Sequence, residues 1–522
     1  MKRLHYIFLL YSISFISCKK TIDLYPPSNL NTGTYYANLE EVKAGLAGAY
    51  NGMQRPLFYE WQLTELRSDN SKQGQPGSTS SVNRELSDLD MFIPSTSHLG
   101  VYQYWLTSYY NIKNANLLLQ KLGVVYDPAT GSHTFETIDI PITDKDRRQA
   151  AGEAMFIRAY HYFNLVRLYG GVFLVHEPIG PAEAKTMNRV SATEIYKLIE
   201  ADLITAIASM NNLKYSQIVA TTPGDLGRAN IWAAKSLLGK VYLTLNRKTD
   251  AITQLTDVKN NSGYALLSGA NAYANVFSTT NEMNSEIIFA VRFKAGGVGL
   301  GSLLSNLFAP LQSGAAVITG DGDGLNYPTN DLDTVANLDP RKSTIIGVYT
   351  PSANARQLYV RKYIPPQPSV NDDTENDWPV IRYADVLLML AEAQGFSQSS
   401  IDLINLVRSR AGATPYAAGA ISTLAEFEQA LSTERRIEFA FENQRWFDLV
   451  RYNTTMTTIT AEQSMKDHFS REYFNHYRLY TAPAVTLAVL HSYVTKEHLL
   501  LPIPQREIDT NTQIKIEQNP GY

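Results

Sequence analysis

Three glutamates near the C-terminal end could in principle do acid–base chemistry. The segment ERRIEFAFENQRWFDLVRY spaces Glu434, Glu438 and Glu442 four residues apart, which on a continuous helix puts them on one face. A glycosidase needs two such carboxylates, but they usually come from separate elements that face a cleft. Arg435 and Arg436 are interleaved with these glutamates. Arginines and carboxylates mixed on one helix are typical of ion pairs that fix packing, so we interpret the segment as structural.

Other patterns that could carry catalysis or hold a metal or cofactor are weak. The run DGDGLNYPTNDLD has a calcium-like composition, but it lacks glycine at the sixth position and glutamate at the twelfth position of an EF-hand loop. His176 has no second histidine four residues away, and GGVGLGS has the wrong glycine spacing for a dinucleotide fingerprint. No G-x-S-x-G nucleophile motif occurs. We therefore predict no catalytic residues, no metal site and no cofactor.

What remains is binding by polar and aromatic side chains on loops. Sugars are held by aromatic faces and by planar polar groups that bond their hydroxyls. Loop residues of these types, which we predict to bind ligand, are Asn70, Asn83, Arg84, Tyr327 and Trp378. The loop from 71 to 100 has no tryptophan and no tyrosine, so an extended aromatic arc is not expected. A small oligosaccharide, a differently shaped glycan and a peptide all stay open as ligands.

The N-terminal segment predicts export and a lipid anchor. Lys2 and Arg3 precede an apolar run of 11 residues, Tyr6 to Ile16, whereas spanning a bilayer takes roughly 20. Cys18, the one cysteine in 522 residues, follows directly. This arrangement resembles a bacterial lipoprotein signal, although Phe15 stands where leucine is usual. We predict a signal peptide over 1–17, a lipidated tether over 18–38 and one folded domain over 39–522.

The composition is that of a globular protein with a large core and no affinity for nucleic acid. Hydrophobic residues make up 44% and charged residues 18% of the chain. Removal of Lys2 and Arg3 with the signal leaves 44 basic against 50 acidic residues, a net charge of −6. This balance argues against nucleic acid and against a polybasic membrane patch. With a single cysteine, which is acylated in our interpretation, no intramolecular disulfide forms.

The elements that must position these residues are mostly helices. Apolar spacing predicts helices over 39–53, 104–122 and 147–169, the last of them apolar on two faces and therefore buried. Ser191 and Glu194 form a capping-box pattern at the start of another helix. The stretch 227–261 reads as two helices with a break near 246–249, and small residues such as Ala233 give it a tetratricopeptide-like layout. The tryptophans in or beside these patterns are expected in the core: Trp61, Trp105, Trp232 and Trp446.

Helical periodicity fades between about 262 and 379. Glycine, asparagine, aspartate and proline accumulate there, and short β-like runs such as EIIFAVRF and QLYVRKYI appear. Helices return after 380. We therefore predict a mainly α fold, in which a helical scaffold over 39–261 and 380–522 holds a loop-rich, partly stranded insertion over 262–379.

Seven segments stand in a fixed order along the chain: ELRSDN, YNIKNANLLL, GEAMFIRAYHYFNLVRLYGGVFLV, YPTNDLDTVANLDPRK, WPVIRYADVLLMLAEA, ERRIEFAFENQRWFDLVRY and LLPIPQREIDTNTQIKIEQNPGY. Together they resemble the SusD/RagB family of outer-membrane lipoproteins from Bacteroidetes. The resemblance covers nearly the whole chain. It implies a non-enzymatic, lipid-anchored protein at the cell surface that captures glycans or other nutrients. It further implies a partner, a TonB-dependent transporter barrel of the SusC type, to which the ligand is delivered.

Two alternatives of other classes stay open at this stage. The first is a secreted glycan-degrading enzyme, against which the lack of a plausible catalytic constellation speaks. The second is a tetratricopeptide-type structural adaptor without a small ligand. The long loops rich in glycine and aspartate argue against an adaptor, because loops of this length are uncommon without a function.

Overall fold

Helices dominate the part of the chain that the computed structural model describes, which is residues 35–76, 78, 80–352, 355–365, 370–481, 484–511 and 513–522. Cys18 and the predicted signal peptide lie outside these residues, as does most of the predicted tether. Of the helices within the described ranges, none is both long and apolar enough to cross a bilayer.

The N-terminal half is almost entirely helical. Its helices are α1 (Leu39–Asn51), α2 (Gln54–Thr64), α3 (Ser81–Asp90), α4 (Leu99–Lys121), α5 (Asp144–Tyr169), α6 (Pro181–Ala184), α7 (Ala192–Ser209), α8 (Tyr215–Thr221), α9 (Ile231–Thr244) and α10 (Lys248–Asn261). Three short strands accompany them: β1 (Ser71–Gln73), β2 (Val124–Asp127) and β3 (Ser132–Phe135).

The middle of the chain mixes short helices and strands, and long helices then resume. The mixed part contains α11 (Ala272–Val276), β4 (Ile287–Val291), α12 (Leu304–Phe308), β5 (Asn326–Pro328), α13 (Asn330–Val335), α14 (Lys342–Ile345), β6 (Ile346–Ser352), β7 (Ala355–Val360) and β8 (Trp378–Arg382). The C-terminal helices are α15 (Tyr383–Gln394), α16 (Gln398–Arg410), α17 (Leu424–Glu438), α18 (Arg445–Thr455), α19 (Ala461–Glu472), α20 (Leu487–Tyr493) and α21 (Gln505–Thr510). The predicted mainly α fold with a partly stranded middle is confirmed.

Helix α5 is the centre of the N-terminal core. Every residue from Ala150 to Val166 is buried, as its two apolar faces predict, and the helix packs between α4 and α7. The Thr143 hydroxyl caps its first turn by accepting from the Asp146 N–H at 3.1 Å. Gly170 ends it with a φ of 73°, a conformation that glycine adopts without strain.

The tetratricopeptide-like pair is formed by α9 and α10. The break falls at 245–247, where Asn246 takes a positive φ of 56° and turns the chain back. A Cβ at Gly239 would lie 2.7 Å from the Leu255 side chain, so glycine is required for this close approach. Ser191 caps α7 by accepting from the Glu194 N–H, at the position that the sequence predicts. All four tryptophans expected in the core are at most 2% exposed.

The described strands form antiparallel pairs, one of which connects the middle of the chain to the N-terminal half. The pairs are β1–β5, β2–β3, β4–β8 and β6–β7. In the first of them, Lys72 lies opposite Tyr327, which joins a strand from the N-terminal half to a loop more than 250 residues later. In the third, Val291 lies opposite Trp378. Strands thus flank some loops of the middle region, with β4 before 294–301, β5 after 309–325 and β8 after 370–377.

The prediction of one continuous helix through the three glutamates is wrong. Helix α17 ends at Glu438 and α18 begins at Arg445, so Glu442 lies in the turn between them. Asn443 takes a φ of 58°, and its N–H donates to a carboxylate oxygen of Glu65 at 2.6 Å. A partner that directly follows α2, distant in sequence, thus fixes a turn that local periodicity does not reveal.

A buried charge network holds β8 against α17. Arg382 donates to Glu286 at 2.8 Å, to Glu438 at 2.7 Å and to both carboxylate oxygens of Glu442 at 2.8 Å. All four side chains are at most 2% exposed. Arg341 joins the network through Glu438 at 2.9 Å. Because a buried charge is tolerated only when it is paired, these contacts fix how the middle region sits on the C-terminal helices.

We expect Arg382→Leu to lower the free energy of unfolding by about 3 to 5 kcal/mol, because three buried carboxylates would lose their shared cation. Denaturant unfolding followed by circular dichroism measures this change. The matched control is Arg356→Leu, whose side chain is 57% exposed and lies 3.4 Å from Asp333. That variant should lose less than about 1 kcal/mol. Equal losses in the two variants would contradict the structural role of the network.

Candidate ligand-binding surface

Two of the residues predicted to bind ligand, Asn70 and Tyr327, meet at the β1–β5 pair. Asn70 directly precedes β1, and its carbonyl accepts from the Thr329 N–H at 3.0 Å just after β5. The Tyr327 hydroxyl accepts from the Leu311 N–H at 3.2 Å. A Cβ at Gly74 would lie 2.0 Å from the Tyr327 ring. Because Gly74 has no side chain, its backbone can pass close to that ring. These contacts fix one end of the loop that contains Leu311.

Helix α3 brings Asn83 and Arg84 to the same neighbourhood. Asn83 Nδ2 donates to Ser78 Oγ at 3.0 Å and to Gln75 Oε1 at 3.2 Å. Gln75 Nε2 in turn reaches the Asp323 carbonyl at 3.5 Å. The structure thus brings four of the five predicted residues to one region, although they are up to 257 residues apart in the chain.

Burial changes the role of three of these four residues. Asn70 is fully buried, Tyr327 is 7% exposed and Asn83 is 8% exposed, whereas Arg84 is exposed. The sequence places all of them on open loops, and this expectation needs correction. Asn70 Oδ1, the Tyr327 hydroxyl and Asn83 Nδ2 bond to neighbouring groups, as buried polar atoms generally do, whereas Asn70 Nδ2 has no partner among the described residues. They hold the loops in place, and Arg84 is the one of the four that offers an open side chain.

Trp378 lies apart from this region. It is the first residue of β8 and is 3% exposed. Its ring stacks on Tyr363 with centroids 4.8 Å apart and planes at 21°. It therefore packs inside the protein, where it supports the strand that leads to Arg382.

Two arginines of the C-terminal helices bind the ELRSDN segment. Arg445 donates to both carboxylate oxygens of Asp69, at 2.7 and 2.9 Å. Arg436 donates from Nε to Asn70 Oδ1 at 2.9 Å. Burial alone would raise the pKa of Asp69, but the charges of Arg436 and Arg445 outweigh it and hold that pKa well below its usual range. This end of the loop region is thereby anchored to α17 and α18.

The buried Asn306 joins two long loops. Its Nδ2 donates to the carbonyls of Thr319 and Asp321, both at 3.0 Å. Its own carbonyl accepts from the Asp323 N–H at 2.9 Å, and its Oδ1 accepts from the Asp372 N–H at 3.2 Å. One carboxamide that is 1% exposed therefore fixes the loops 309–325 and 370–377 against each other.

Asp373 ties a third loop to the same cluster. Its Oδ2 accepts from the N–H groups of Gly296 and Gly297 at 2.8 and 2.7 Å. Ser302 and Thr374 exchange backbone hydrogen bonds at 2.8 and 3.0 Å next to it. We call the surface formed by the loops 74–76, 294–301, 309–325 and 370–377 the polar platform.

The polar platform exposes carboxylates, carboxamides and several aliphatic side chains. The polar ones include Gln312, Asp321, Asp323, Asn371 and Asp372, and the aliphatic ones include Val298, Leu300, Leu311 and Val370. Partial burial raises the pKa of Asp323, and the nearby charges of Asp372 and Asp321 raise it further. Such groups can bond the hydroxyls of a sugar. The glycine- and aspartate-rich composition of the loops was the sequence signal for this surface, but the two buried residues that organise it, Asn306 and Asp373, have no distinctive local pattern.

The four aspartates of the calcium-like run do not converge. Asp331 pairs with Arg436 and Arg471, both at 2.8 Å. Asp333 pairs with Lys342 at 2.9 Å and with Arg356 at 3.4 Å. Asp331 and Asp333 are thus bound by basic side chains. Within the described ranges, no group of three or more candidate ligands is arranged to hold a metal ion.

The three glutamates considered for acid–base chemistry are buried ion-pair partners. Glu434 is bound by Arg341 at 2.6 Å and by Arg408 at 3.0 Å. Burial raises the pKa of Glu438, but the charges of Arg410, Arg382 and Arg341 outweigh it and hold that pKa well below its usual range. Glu442 is bound by Lys362 and by Arg382, both at 2.8 Å, so the interpretation of this segment as ion-paired is confirmed.

Glu65 differs from these carboxylates because no cation is bonded to it. It is 1% exposed, and one of its oxygens accepts only from the Asn443 N–H. Burial raises its pKa to about 8. Glu65 is therefore neutral near neutral pH, unlike the paired carboxylates around it.

Comparison with known proteins decides the family. Residues 349–522 match the model of the SusD family, and residues 22–243 match a related model described as starch-binding associating with outer membrane. The chain belongs to the SusD family. A SusD-like protein from Formosa agariphila is 23% identical, with 97% of this chain and 96% of the relative covered. A SusD-like protein from Bacteroides ovatus is 24% identical, with 71% of this chain and 74% of the relative covered.

Solved SusD structures share the fold. A laminarin binding SusD-like protein superposes with a TM-score of 0.72 and 25% identity, covering 93% of this chain and all of that one. A SusD homolog from Bacteroides thetaiotaomicron gives a TM-score of 0.74 at 22% identity, covering 94% and 98%. Surface glycan-binding protein A from Bacteroides fluxus gives 0.69 at 22% identity, covering 92% and 99%.

The raised pKa of Glu65 predicts a stability that falls as pH rises. Between about pH 4.5 and 8 the folded protein keeps a proton on Glu65 that the unfolded chain has released. Stability from this group is therefore complete below that range and is lost across it. We expect Glu65→Gln to flatten the dependence of the unfolding free energy on pH between 5 and 8. Denaturant titrations at several pH values measure this.

Two features help to interpret the pH dependence of unfolding in Glu65→Gln. Burial lowers the pKa of Lys362, whose charge acts on Glu65, to about 8. The contribution of Lys362 to the unfolding free energy therefore changes above the tested pH range. Glu183→Gln, at an exposed glutamate of α6, is the matched control and should keep the wild-type slope. An unchanged slope in Glu65→Gln would show that Glu65 is already ionised in the folded protein.

Proposed function

We propose that this protein is a glycan-binding lipoprotein of the outer-membrane surface. It captures an oligosaccharide and delivers it to a TonB-dependent transporter of the SusC type, without carrying out chemistry on it. The observation that carries the proposal is that both ends of the chain match models of one family, one of them described as starch-binding and associated with the outer membrane. The laminarin and glycan binding of similar solved proteins supports the same ligand class.

The polar platform is the proposed binding surface. Its loops are fixed from below by Asn306 and Asp373, so its exposed side chains are preorganised and lose little freedom on binding. Carboxylates and carboxamides bond sugar hydroxyls in both directions, as acceptors and as donors. Arg84 and Gln75 extend the surface toward α3, and the buried Tyr327 supports it from inside.

The anchoring part of the proposal rests on Cys18. An acylated N-terminal cysteine with several acyl chains gives stable membrane attachment, whereas a single chain gives only marginal attachment. The segment 19–34 would then connect the lipid to the folded part that begins near α1. This arrangement keeps the binding surface at the cell exterior, next to the transporter that receives the ligand.

Binding without turnover is the first expected outcome. Purified protein incubated with a panel of soluble polysaccharides should retard at least one of them in affinity electrophoresis. The same mixtures should release no reducing ends, because the proposal gives the protein no catalytic role. Release of reducing ends by the wild type that grows with protein concentration would support the glycan-degrading alternative.

The platform assignment predicts which side chains matter for that glycan. The double variant Asp321→Ala/Asp323→Ala removes two exposed carboxylates and should weaken binding at least about tenfold, since charge-assisted bonds to hydroxyls are lost. Titration calorimetry measures the affinity. The matched control is Asp139→Ala/Glu183→Ala, which removes two exposed carboxylates elsewhere on the chain. Equal affinities in both double variants would exclude the platform as the binding surface.

The lipid anchor has a separate test in cells. Cys18→Ala should move the protein from the membrane fraction to the soluble fraction, because the acceptor of the acyl chains is gone. Immunoblots of the fractions, and labelling of intact cells, report location. Retention of Cys18→Ala in the outer membrane at wild-type levels would contradict lipid anchoring.

A further inference from the structure

A second cleft adjoins the platform loop 294–301 through Leu300, and none of the platform carboxylates named above lines it. It has a volume of about 500 Å³ and lies between α1, the segment just before α9 and the end of β4. Ala47 and Gly48 of α1 form one wall, and Leu226, Val291 and Leu300 contribute to the other. Clefts of this size typically hold small ligands.

Gly48 keeps this cleft open. A glycine in a helix interior weakens the helix relative to alanine, so it calls for a reason. Gly45 in the same helix has one, because a Cβ there would lie 2.4 Å from the Tyr36 ring. A Cβ at Gly48 would meet no atom within 4 Å. No packing contact therefore requires glycine at this position, and a large side chain there would project into the cleft.

The charged groups that line the cleft already have partners, beginning with Lys43, which pairs with Glu40 at 2.9 Å. Arg228 donates to both carboxylate oxygens of Glu153 at 2.9 Å. Arg292 lies 2.6 Å from Glu282 and 2.5 Å from Asp377. Both guanidiniums are still about one third or more exposed, at 32% and 41%. The cleft thus presents fixed N–H donors whose charge is neutralised, which suits an uncharged ligand.

The rest of the lining selects against a sugar and for a peptide. The Tyr50 hydroxyl donates to Glu153 at 2.6 Å and accepts from the Ala229 N–H at 2.8 Å, so it is already used. The apolar lining is mainly aliphatic and includes Leu46, Met53 and Leu226, whereas sugar rings pack best on open aromatic faces. Asn51 donates to Gln54 at 2.9 Å, and its Oδ1 has no partner within the described part of the chain. That oxygen can accept a backbone N–H.

We propose that this cleft binds an extended, uncharged peptide segment through an aliphatic side chain. The side chain would lie on the aliphatic wall. The backbone carbonyls of the peptide would accept from Arg228 and Arg292, and one backbone N–H would donate to Asn51. The absence of a free charge in the cleft favours an internal segment of a protein over a free oligopeptide, whose termini are charged. This site is additional to the glycan surface and does not depend on it.

The experiment compares probes on the purified full-length mature protein. N-acetyl-Ala-Leu-Ala-amide is the internal-segment probe, the same tripeptide with free termini is the oligopeptide probe, and a neutral oligosaccharide is the sugar probe. Titration calorimetry and saturation-transfer NMR should detect the blocked tripeptide, binding it at least about tenfold more tightly than the free one. Raising the salt concentration should change its affinity less than about twofold, because no free charge is involved.

Variants at glycines locate the binding. Gly48→Trp should fill the cleft and weaken the blocked tripeptide at least about tenfold, whereas Gly48→Ala should bind like the wild type. Gly180→Trp is the matched control, because a Cβ there also meets nothing within 4 Å. Thermal unfolding verifies that each variant is folded, and glycan binding by Gly48→Trp should be unchanged.

Three results would overturn the proposal. One is no detectable binding of the blocked tripeptide to the wild type. Another is binding that Gly48→Trp leaves intact, which would place the peptide elsewhere. The third is an oligosaccharide whose binding is lost in Gly48→Trp, which would make the cleft part of the glycan surface.

Discussion

Buried charge is the constraint on which the rest of this structure depends. The residues that hold the middle region on the C-terminal helices are arginines and glutamates with almost no exposure, such as Arg382 with Glu438 and Glu442. Neither sign is stable in the interior without the other. Each contact therefore specifies a partner as well as a position, which an apolar core of the same volume would do less strictly.

One segment links these buried charges to the loop surface. Asp69 is held by two arginines of the C-terminal helices, and Asn70 beside it starts the strand pair that carries Tyr327. From there the contacts lead to Asn306 and Asp373, which fix the loops. Because buried residues hold these loops in place, their exposed side chains can be substituted without disturbing the fold. This separation fits the general rule that one fold can carry different sites.

Local patterns in the sequence were enough for most helices. The two apolar faces of α5 and the break between α9 and α10 follow from spacing and small residues alone. The turn at Asn443 and the burial of Asn70 do not, because both depend on partners more than 350 residues away. The same holds for Asn306, an ordinary asparagine in the sequence whose importance comes from four backbone groups that only the fold brings to it.

The pairing of Asp69 with Arg445 has a consequence for how the chain acquires its structure. The two residues are 376 positions apart, so the N-terminal segment cannot neutralise its buried carboxylate until nearly the whole polypeptide is available. Contacts of such long range slow folding, since a large loop must close before they form. The loop surface is thus completed late, and a chain interrupted before α18 would keep its N-terminal helices without the surface they support.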